Sequence, residues 1–513
     1  MNEKIVREQL IQDIQQLSHI LETAHPDPYI HSGGKIMYHH RLQKLIMEIP
    51  HNGLTQQEFA DLLLPFVAAL QDGHTSITPF QSPVDQMNPG GIPLFFEPIE
   101  EKLYVESVAR EEDAHLIGSL LVSVESVEFD ELVTRMKHSI GYENLYDLLR
   151  ILGHLGVLKI EHFLKQIVPE WQDKDKIRVG LRLPNGKEEE FTFAPALNLT
   201  SPPIKLESEV ELPASRGSIS YNFMNPSKNT AYLRIDDMSS YREAFELTHA
   251  VGMTQLTIHT EKVYKLYNDD DMPDDINKAL AGIPSATEMF LSMLKEMKKK
   301  NSEFLIVDLR KCLGGYDQII AILLYFLVGF EETIPLFAQR KEIQKLSEFI
   351  ESSSDDEYDF GWDSTFFSKE ARHDQIKSDL LKEFELMPTF FKEFRSRLHE
   401  GYSLPKKIIV LCSFITGSSG FDLMMNLKRI GSISVGVPSR QSGNHFGNVR
   451  RFELTNSKIT GWVATKYFVA FPDQPGKHLI HQPDYPLTYE KLKSYGFDPD
   501  ATIRYALELL DNF

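Results

Sequence analysis

Two apolar runs in this chain, residues 304–309 and 408–414, each break into a glycine-rich turn and then resume as a helical pattern. That repeated strand, turn and helix constrains the fold more than any other feature. Runs with so few polar interruptions belong to strands covered on both faces, which are parallel strands joined by helical crossovers. The fold class is therefore α/β. In such sheets ligands gather outside the carboxyl ends of adjacent strands. The turns Cys312-Leu313-Gly314-Gly315 and Thr416-Gly417-Ser418-Ser419-Gly420 lie where a site of that kind would be built.

At 513 residues the chain is long enough for two or three domains with a sizeable core. Leu10, Ile11, Ile14, Leu17, Ile20 and Leu21 recur at helical spacing, and a second helix is expected from Thr55 to about Leu70. It stops at Asp72-Gly73-His74, where Gly73 is expected to take the left-handed cap position. Residues 1–88 thus read as an N-terminal helical segment. Residues 89–200 are β-rich, with strands expected at 103–105, 120–124 and 177–183. After the Ser201-Pro202-Pro203 break, residues 201–513 carry the alternating strands and amphipathic helices of a catalytic core. Acidic stretches at 268–275 and 352–359 read as surface insertions in it.

Composition removes several function classes. Fifty-four basic residues against 74 acidic ones give a net charge of −20, which repels nucleic acid and anionic membrane alike. Cys312 and Cys412 are the two cysteines, too few and too far apart for a disulfide framework or a CxxC motif. The start, Met1-Asn2-Glu3-Lys4-Ile5-Val6-Arg7, is charged and lacks the apolar stretch of a secretory signal. Apolar runs such as 319–328 reach about half of what spans a bilayer. The expectation is a cytoplasmic protein with no membrane segment. There is no HExxH, and His39-His40 has no metal-ligand spacing, so neither a catalytic metal nor a cofactor is expected.

Ser418 follows a buried strand and precedes a helical stretch over 421–430, so unpaired N–H groups and the positive end of the helix dipole face its oxygen. Taken alone that setting is more often an N-cap than a nucleophile. Flanking Gly417 and Gly420 permit a tight turn and close approach of a substrate backbone, and Ser419 qualifies as nucleophile on spacing alone. Neither serine satisfies Gly-x-Ser-x-Gly, which weighs against an α/β-hydrolase elbow. Gly314 and Gly315 form the second turn, which reads as a plain glycine-rich connection or as a donor of backbone N–H groups to the same crevice; the lack of GxxxxGK[ST] and the net charge disfavour a phosphate loop. Among 18 histidines His74 stands out for its place in a turn at a helix end, where an imidazole can serve as a base for a serine hydroxyl.

The order Asp-Gly-His-Thr (72–75), Asp-Leu-Arg-x-x-x-Gly-Gly (308–315) and Thr-x-Ser-Ser (416–419) resembles the S41 family of serine peptidases, the tail-specific, C-terminal-processing and tricorn-core group. The resemblance spans most of the chain. His25-Pro26-Asp27-Pro28-Tyr29 is similar to the N-terminal part of bacterial S41-like proteins. Gly118-Ser119-Leu120-Leu121-Val122-Ser123-Val124 resembles the G-x-x-L-x-x-I-N-G signature of their PDZ-like module. Val435-Gly436-Val437-Pro438-Ser439, Asn444-His445-Phe446-Gly447, Thr465-Lys466-Tyr467-Phe468 and Gln482-Pro483-Asp484-Tyr485-Pro486 follow the tail of that group in order and spacing.

The resemblance implies a ClpP/crotonase-like βαβ core, a PDZ-like β-rich module, and hydrolysis of peptides or proteins through an acyl-enzyme. It assigns Ser418 as nucleophile, His74 as general base, and the backbone N–H groups of Gly315 and Ser419, beside Gly314, as the oxyanion hole. Some members use a Ser/Lys pair; that lysine's position here is Gly443, and no lysine occurs between Lys428 and Lys458. Asp484 and Asp72 are both candidates to orient His74. Two departures stand out: Cys312 replaces the usual Asn of the Asp-Leu-Arg motif, and Phe421 an acidic residue after the nucleophile. They motivate a second reading, a catalytically silent peptide-binding protein on the same scaffold. A third is an esterase with the same Ser/His pair.

Overall fold

A computed structural model of the chain describes residues 4–77, 91–154, 158, 161–173, 175–195, 203–212, 217–224, 230–252, 257–345, 369–396, 404–471 and 480–512. The acidic stretch at 352–359 and Ser201-Pro202 lie outside the described residues. The chain divides into two compact units. One comprises Met1–Leu206, Lys341–Phe366 and Ser442–Ile480; the other comprises Glu207–Arg340, Phe367–Gln441 and His481–Phe513.

The second unit is built on a six-stranded sheet whose spatial order follows the sequence: Ile219–Met224, Thr230–Ile235, Phe304–Asp308, Lys407–Cys412, Ile433–Gly436 and Tyr485–Pro486. The first pair is antiparallel and every later pair parallel, with Leu305 opposite Ala231 on one side and Ile408 on the other. All five residues of the central Phe304–Asp308 strand are buried, the four apolar ones as a strand covered on both faces requires. One sheet face packs Ile306, Ile409, Leu411 and Val435 against Ile503, Ala506 and Leu510 of the Ala501–Leu510 helix.

The helix Gln318–Val328 is buried on every side along residues 318–327, so it is an inner helix with no polar face. The Ala286–Lys300 helix is amphipathic and has both ends managed. Ser285 accepts from the Glu288 N–H, and the buried Glu243 carboxylate accepts from the N–H groups of Ala286 and Thr287. Lys298, Lys299 and Lys300 fill its last turn, where the dipole favours cations. The acidic loop at 268–275 is largely exposed at the surface.

The first unit opens with helices Arg7–Ala24, Gly34–Glu48 and Gln56–Ala68. Their apolar faces share a core with Phe452, Leu454, Ile459 and Val463, from near the other end of the chain. Asp13, fully buried, accepts from the N–H groups of Asn456 (2.9 Å) and Ser457 (2.6 Å). Thr55 caps the third helix in a reciprocal capping box with Glu58. A long antiparallel pair, Asn444–Glu453 with Thr460–Val469, takes Ser76–Ile77 and Lys341–Gln344 on its free side. A separate antiparallel sheet runs Leu94–Ile99, Lys102–Val108, Leu120–Val124, Ile177–Arg182 and Glu188–Phe193, with helix Phe129–Lys137 beside it. Among the described residues no helix is long and apolar enough to cross a membrane.

One local expectation is corrected. The left-handed residue after the third helix is Gln71 (φ 50°), not Gly73. Gly73 is needed for a different reason: a β-carbon there would lie 2.9 Å from Glu143 Cγ and 3.0 Å from Asp147 Oδ2.

In the second unit, burial, reinforced by Lys428, pushes the His481 imidazole down from its ordinary 6.5 to about 4. The folded chain keeps the ring neutral where the unfolded chain protonates it, so this group's stabilisation is complete above about pH 6.5 and is lost as pH falls toward 4. Urea unfolding at pH 7 and pH 4.5 should therefore show a larger loss of stability for the wild type than for His481→Gln. Equal losses would refute the assignment.

Candidate active site

In the second unit the two glycine-rich turns meet. The strands Phe304–Asp308 and Lys407–Cys412 are parallel neighbours, so their carboxyl ends deliver both turns to the same edge. The Gly417 N–H donates to Cys312 O (3.0 Å), Ser419 Oγ to Gly315 O (2.7 Å), and Thr416 Oγ1 to Leu309 O (2.8 Å). Gly314 has φ 106°, and a β-carbon there would sit 2.7 Å from Ser418 Cβ and 2.8 Å from Gly417 O. Only a residue without a side chain permits that approach.

Ser418 precedes the helix Ser419–Arg429 with φ 49° and ψ −132°, a backbone state that non-glycine residues rarely adopt. Its hydroxyl makes no cap hydrogen bond to the helix. Its N–H donates to Gln441 Oε1 (2.9 Å), which holds the strained turn from outside. The two adjacent serines thus differ: Ser419 spends its hydroxyl on a backbone carbonyl, whereas Ser418 is held in a conformation that a simple cap does not need. Among the described residues no acceptor takes the N–H of Gly315 or of Ser419.

Beneath the turns, Asp308, Arg310, Tyr232 and Asp500 form a buried network. Arg310 Nη2 lies 2.8 Å from Asp308 Oδ2, and Arg310 Nη1 lies 3.1 Å from Asp500 Oδ1. Burial alone would raise the Asp308 carboxyl, but Arg310 and the Tyr232 hydroxyl together hold it below its ordinary value. The Asp-Leu-Arg motif is thus the anchor of the first turn. Cys312 is fully buried, and burial pushes its thiol up to about 12. Phe421 is fully buried as well, edge-on to His481.

Asp484 accepts from Lys428 Nζ (2.8 Å) and from the Ser434 N–H (2.7 Å). Burial would raise its pKa, yet these contacts lower it. It fastens the edge strand Tyr485–Pro486 to its neighbour Ile433–Gly436.

In the first unit His74 stands between the Gln56–Ala68 helix and the Ser76–Ile77 strand. Its Nδ1 lies 2.8 Å from Oε1 of Glu143, whose side chain is completely buried. Asp72 acts on the same residue through the backbone: its Oδ1 accepts the His74 N–H (2.8 Å), while Oδ2 lies 3.1 Å from His25 Nε2, both side chains fully buried. The His25 ring packs against Phe446 at 4.3 Å between centroids. Glu143 is in turn fixed by Asp147, whose Oδ2 accepts the Glu143 N–H (3.1 Å) and whose Oδ1 pairs with Arg150. A carboxylate on one imidazole nitrogen fixes the tautomer, so that the proton of a reaction would be taken up at the other nitrogen.

Sequence reasoning named His74 and Asp72 but missed Glu143, Gln441 and the His25–Asp72 pair. Glu143 carries no motif. The one local signal is that Gly141 precedes it, where a β-carbon would lie 2.5 Å from Asp72 O. Asp72, His74 and Glu143 also offer ligand atoms within 4.8 Å of one another. Their contacts are those of a hydrogen-bonded histidine and its supports.

Comparison with known proteins now bears on this geometry. The family model described as Peptidase family S41 matches residues 229–469. Among solved structures, mature CPAF is 13% identical, with 96% of each chain covered and a TM-score of 0.56. Mature CPAF complexed with lactacystin is 14% identical, with 99% of each chain covered and a TM-score of 0.57. Likeness at that identity is a likeness of fold. No curated protein sequence matches the chain.

Two measurements check this construction. A β-carbon at position 314 adds left-handed strain and a clash at the junction, so Gly314→Ala should cost about 1–3 kcal/mol in urea unfolding; an unchanged midpoint would show that the turns do not touch. Ellman's reagent at pH 8 should label neither Cys312 nor Cys412 in the folded protein and both after unfolding, since burial pushes both thiols up to about 12. A rapidly reacting native thiol at Cys312 would reopen it as a nucleophile.

Proposed function

We infer, from the premise that this chain belongs to peptidase family S41 through residues 229–469 and is a serine-type peptidase, that it cleaves peptide bonds through an acyl-enzyme, with Ser418 as nucleophile and His74 as general base. The observation that carries the assignment is the contrast between the adjacent serines. Ser418 has a strained backbone and a hydroxyl that caps nothing, while Ser419 is tied to Gly315 O.

In the proposed reaction Ser418 Oγ attacks the carbonyl carbon as its proton passes to His74 Nε2. The N–H groups of Gly315 and Ser419 receive the oxyanion, with the helix N-terminus behind them. The C–N bond then breaks, the departing amine takes the proton from His74, and water attacks the resulting ester in a second round through the same base. Glu143 is the group we assign to orient His74 and to stabilise its imidazolium. Asp72 supports the same residue from its backbone side, and Asp484 is assigned no part, because Lys428 and Ser434 already occupy it. Peptides or proteins are the substrates.

We further propose that the antiparallel sheet within residues 89–200, with the Phe129–Lys137 helix, is a PDZ-like module serving a ClpP/crotonase-like core. Supporting the core assignment are the parallel strands and the two turns at their carboxyl ends. The silent-scaffold reading rested on Cys312 and Phe421. Both are buried packing residues, so neither substitution withdraws a group from the reaction proposed here.

The test is hydrolysis of a broad peptide library read by mass spectrometry, alongside labelling with a fluorophosphonate probe. The wild type should cleave and label. Folded Ser418→Ala should do neither, His74→Ala should lose on the order of 10³-fold or more, and Glu143→Gln should lose at least tenfold in kcat. Cleavage of p-nitrophenyl esters without any cleavage of peptides would favour the esterase. A folded wild type that neither labels nor cleaves would leave the peptide-binding scaffold.

A further inference from the structure

A cleft of about 590 Å³ opens in the first unit between the Gly34–Glu48 and Gln56–Ala68 helices and the end of the Phe129–Lys137 helix. Its volume falls within the roughly 300–1,000 Å³ in which small ligands are held. None of the residues assigned to the reaction lines it.

The lining carries both signs of charge. Arg41, Lys44 and Lys137 stand with Glu48 and Asp61, around a wall that includes Phe66 and Tyr142. Lys137 is exposed at the end of its helix and makes no ion pair among the described residues. Arg41 commits Nη1 to Ser32 O, and Asp61 commits Oδ1 to the side-chain amides of Gln57 and Gln166. Lys44 and Glu48 pair with each other (3.6 Å), so a polyanion would meet the Asp61 carboxylate and a simple cation would meet Arg41 and Lys137. A zwitterion with an apolar body satisfies both sets at once.

Two further residues of the wall link the cleft to His74. Gln71, the left-handed residue, immediately precedes Asp72, and Tyr142 immediately precedes Glu143. Asp72 and Glu143 are the two carboxylates that hold His74. A ligand pressing on this wall therefore touches both backbone segments that set the imidazole.

We propose that this cleft binds short peptides with free termini, and that its occupancy rigidifies the segments carrying His74 and Glu143. Such zwitterions are what a peptidase releases, so the site would report product back to the base. That last clause rests on the proposed reaction; binding in the cleft does not.

The test uses full-length Ser418→Ala protein, which leaves the probe intact, and calorimetric titration with the dipeptide leucyl-phenylalanine. The free dipeptide should bind. Its N-acetyl and C-terminal amide forms should bind at least tenfold more weakly, as should the free dipeptide to protein also carrying Lys137→Glu. Hydrogen exchange read on peptides spanning 69–77 and 141–147 should slow when the dipeptide saturates the protein. No binding, or binding indifferent to the Lys137 change and to the terminal charges, would overturn the site. Binding with unchanged exchange in both segments would overturn its link to His74. Both readouts are independent of catalysis, so failure of the peptidase assignment would be seen separately in the library assay.

Discussion

The chemistry proposed for this chain depends on one contact: the closeness of two backbone turns at the ends of neighbouring parallel strands. Strand register sets it, since Phe304–Asp308 and Lys407–Cys412 run side by side and end together. The Gly417 N–H on Cys312 O and the Ser419 hydroxyl on Gly315 O then lock one turn against the other. A side chain at Gly314 would run into Ser418 Cβ, Gly417 O and Ser419 N, so the two turns could not keep this separation. Arg310 and Asp308 work from below, so the motif that names the first turn also anchors it.

His74 is held on a different principle. Its supports are buried carboxylates, each held by partners: Glu143 Oε1 by the imidazole and by Gly73 N–H, Asp72 by His25 and the His74 N–H, Asp147 by Arg150 and the Glu143 N–H. Buried ionic groups rarely add much stability over apolar packing of the same shape, but a chain of them allows few alternative arrangements. That is a fitting way to hold a ring whose work depends on orientation.

Local structure was legible wherever the signal was local. The apolar run at 304–309 became the strand Phe304–Asp308, and the helix expected from Thr55 to about Leu70 was found as Gln56–Ala68, because caps and periodicity act within a few residues. Ser418, Gly314 and Gly315 were legible because turn chemistry is written in short motifs. Glu143 was not: it meets His74 across 69 positions, and His25 meets Asp72 across 47, with no spacing rule linking them. Gly73 was misread for a related reason. Its need for a missing β-carbon comes from a carboxylate far along the chain, whereas the left-handed turn fell to Gln71, which has no glycine to advertise it.

The strand beside His74 has an unusual debt to chain order. Ser76–Ile77 finds its strand partners in Gly461 and Trp462, and the first helices complete their core with Phe452, Leu454, Ile459 and Val463. During synthesis, then, the segment bearing the histidine emerges early but waits for almost the whole polypeptide before it can settle. Asp72, Glu143 and Asp147 emerge early with the histidine, but the strand that follows it and the core of the first helices stay open until translation is nearly finished, so the platform under the imidazole is among the last parts of this unit to close.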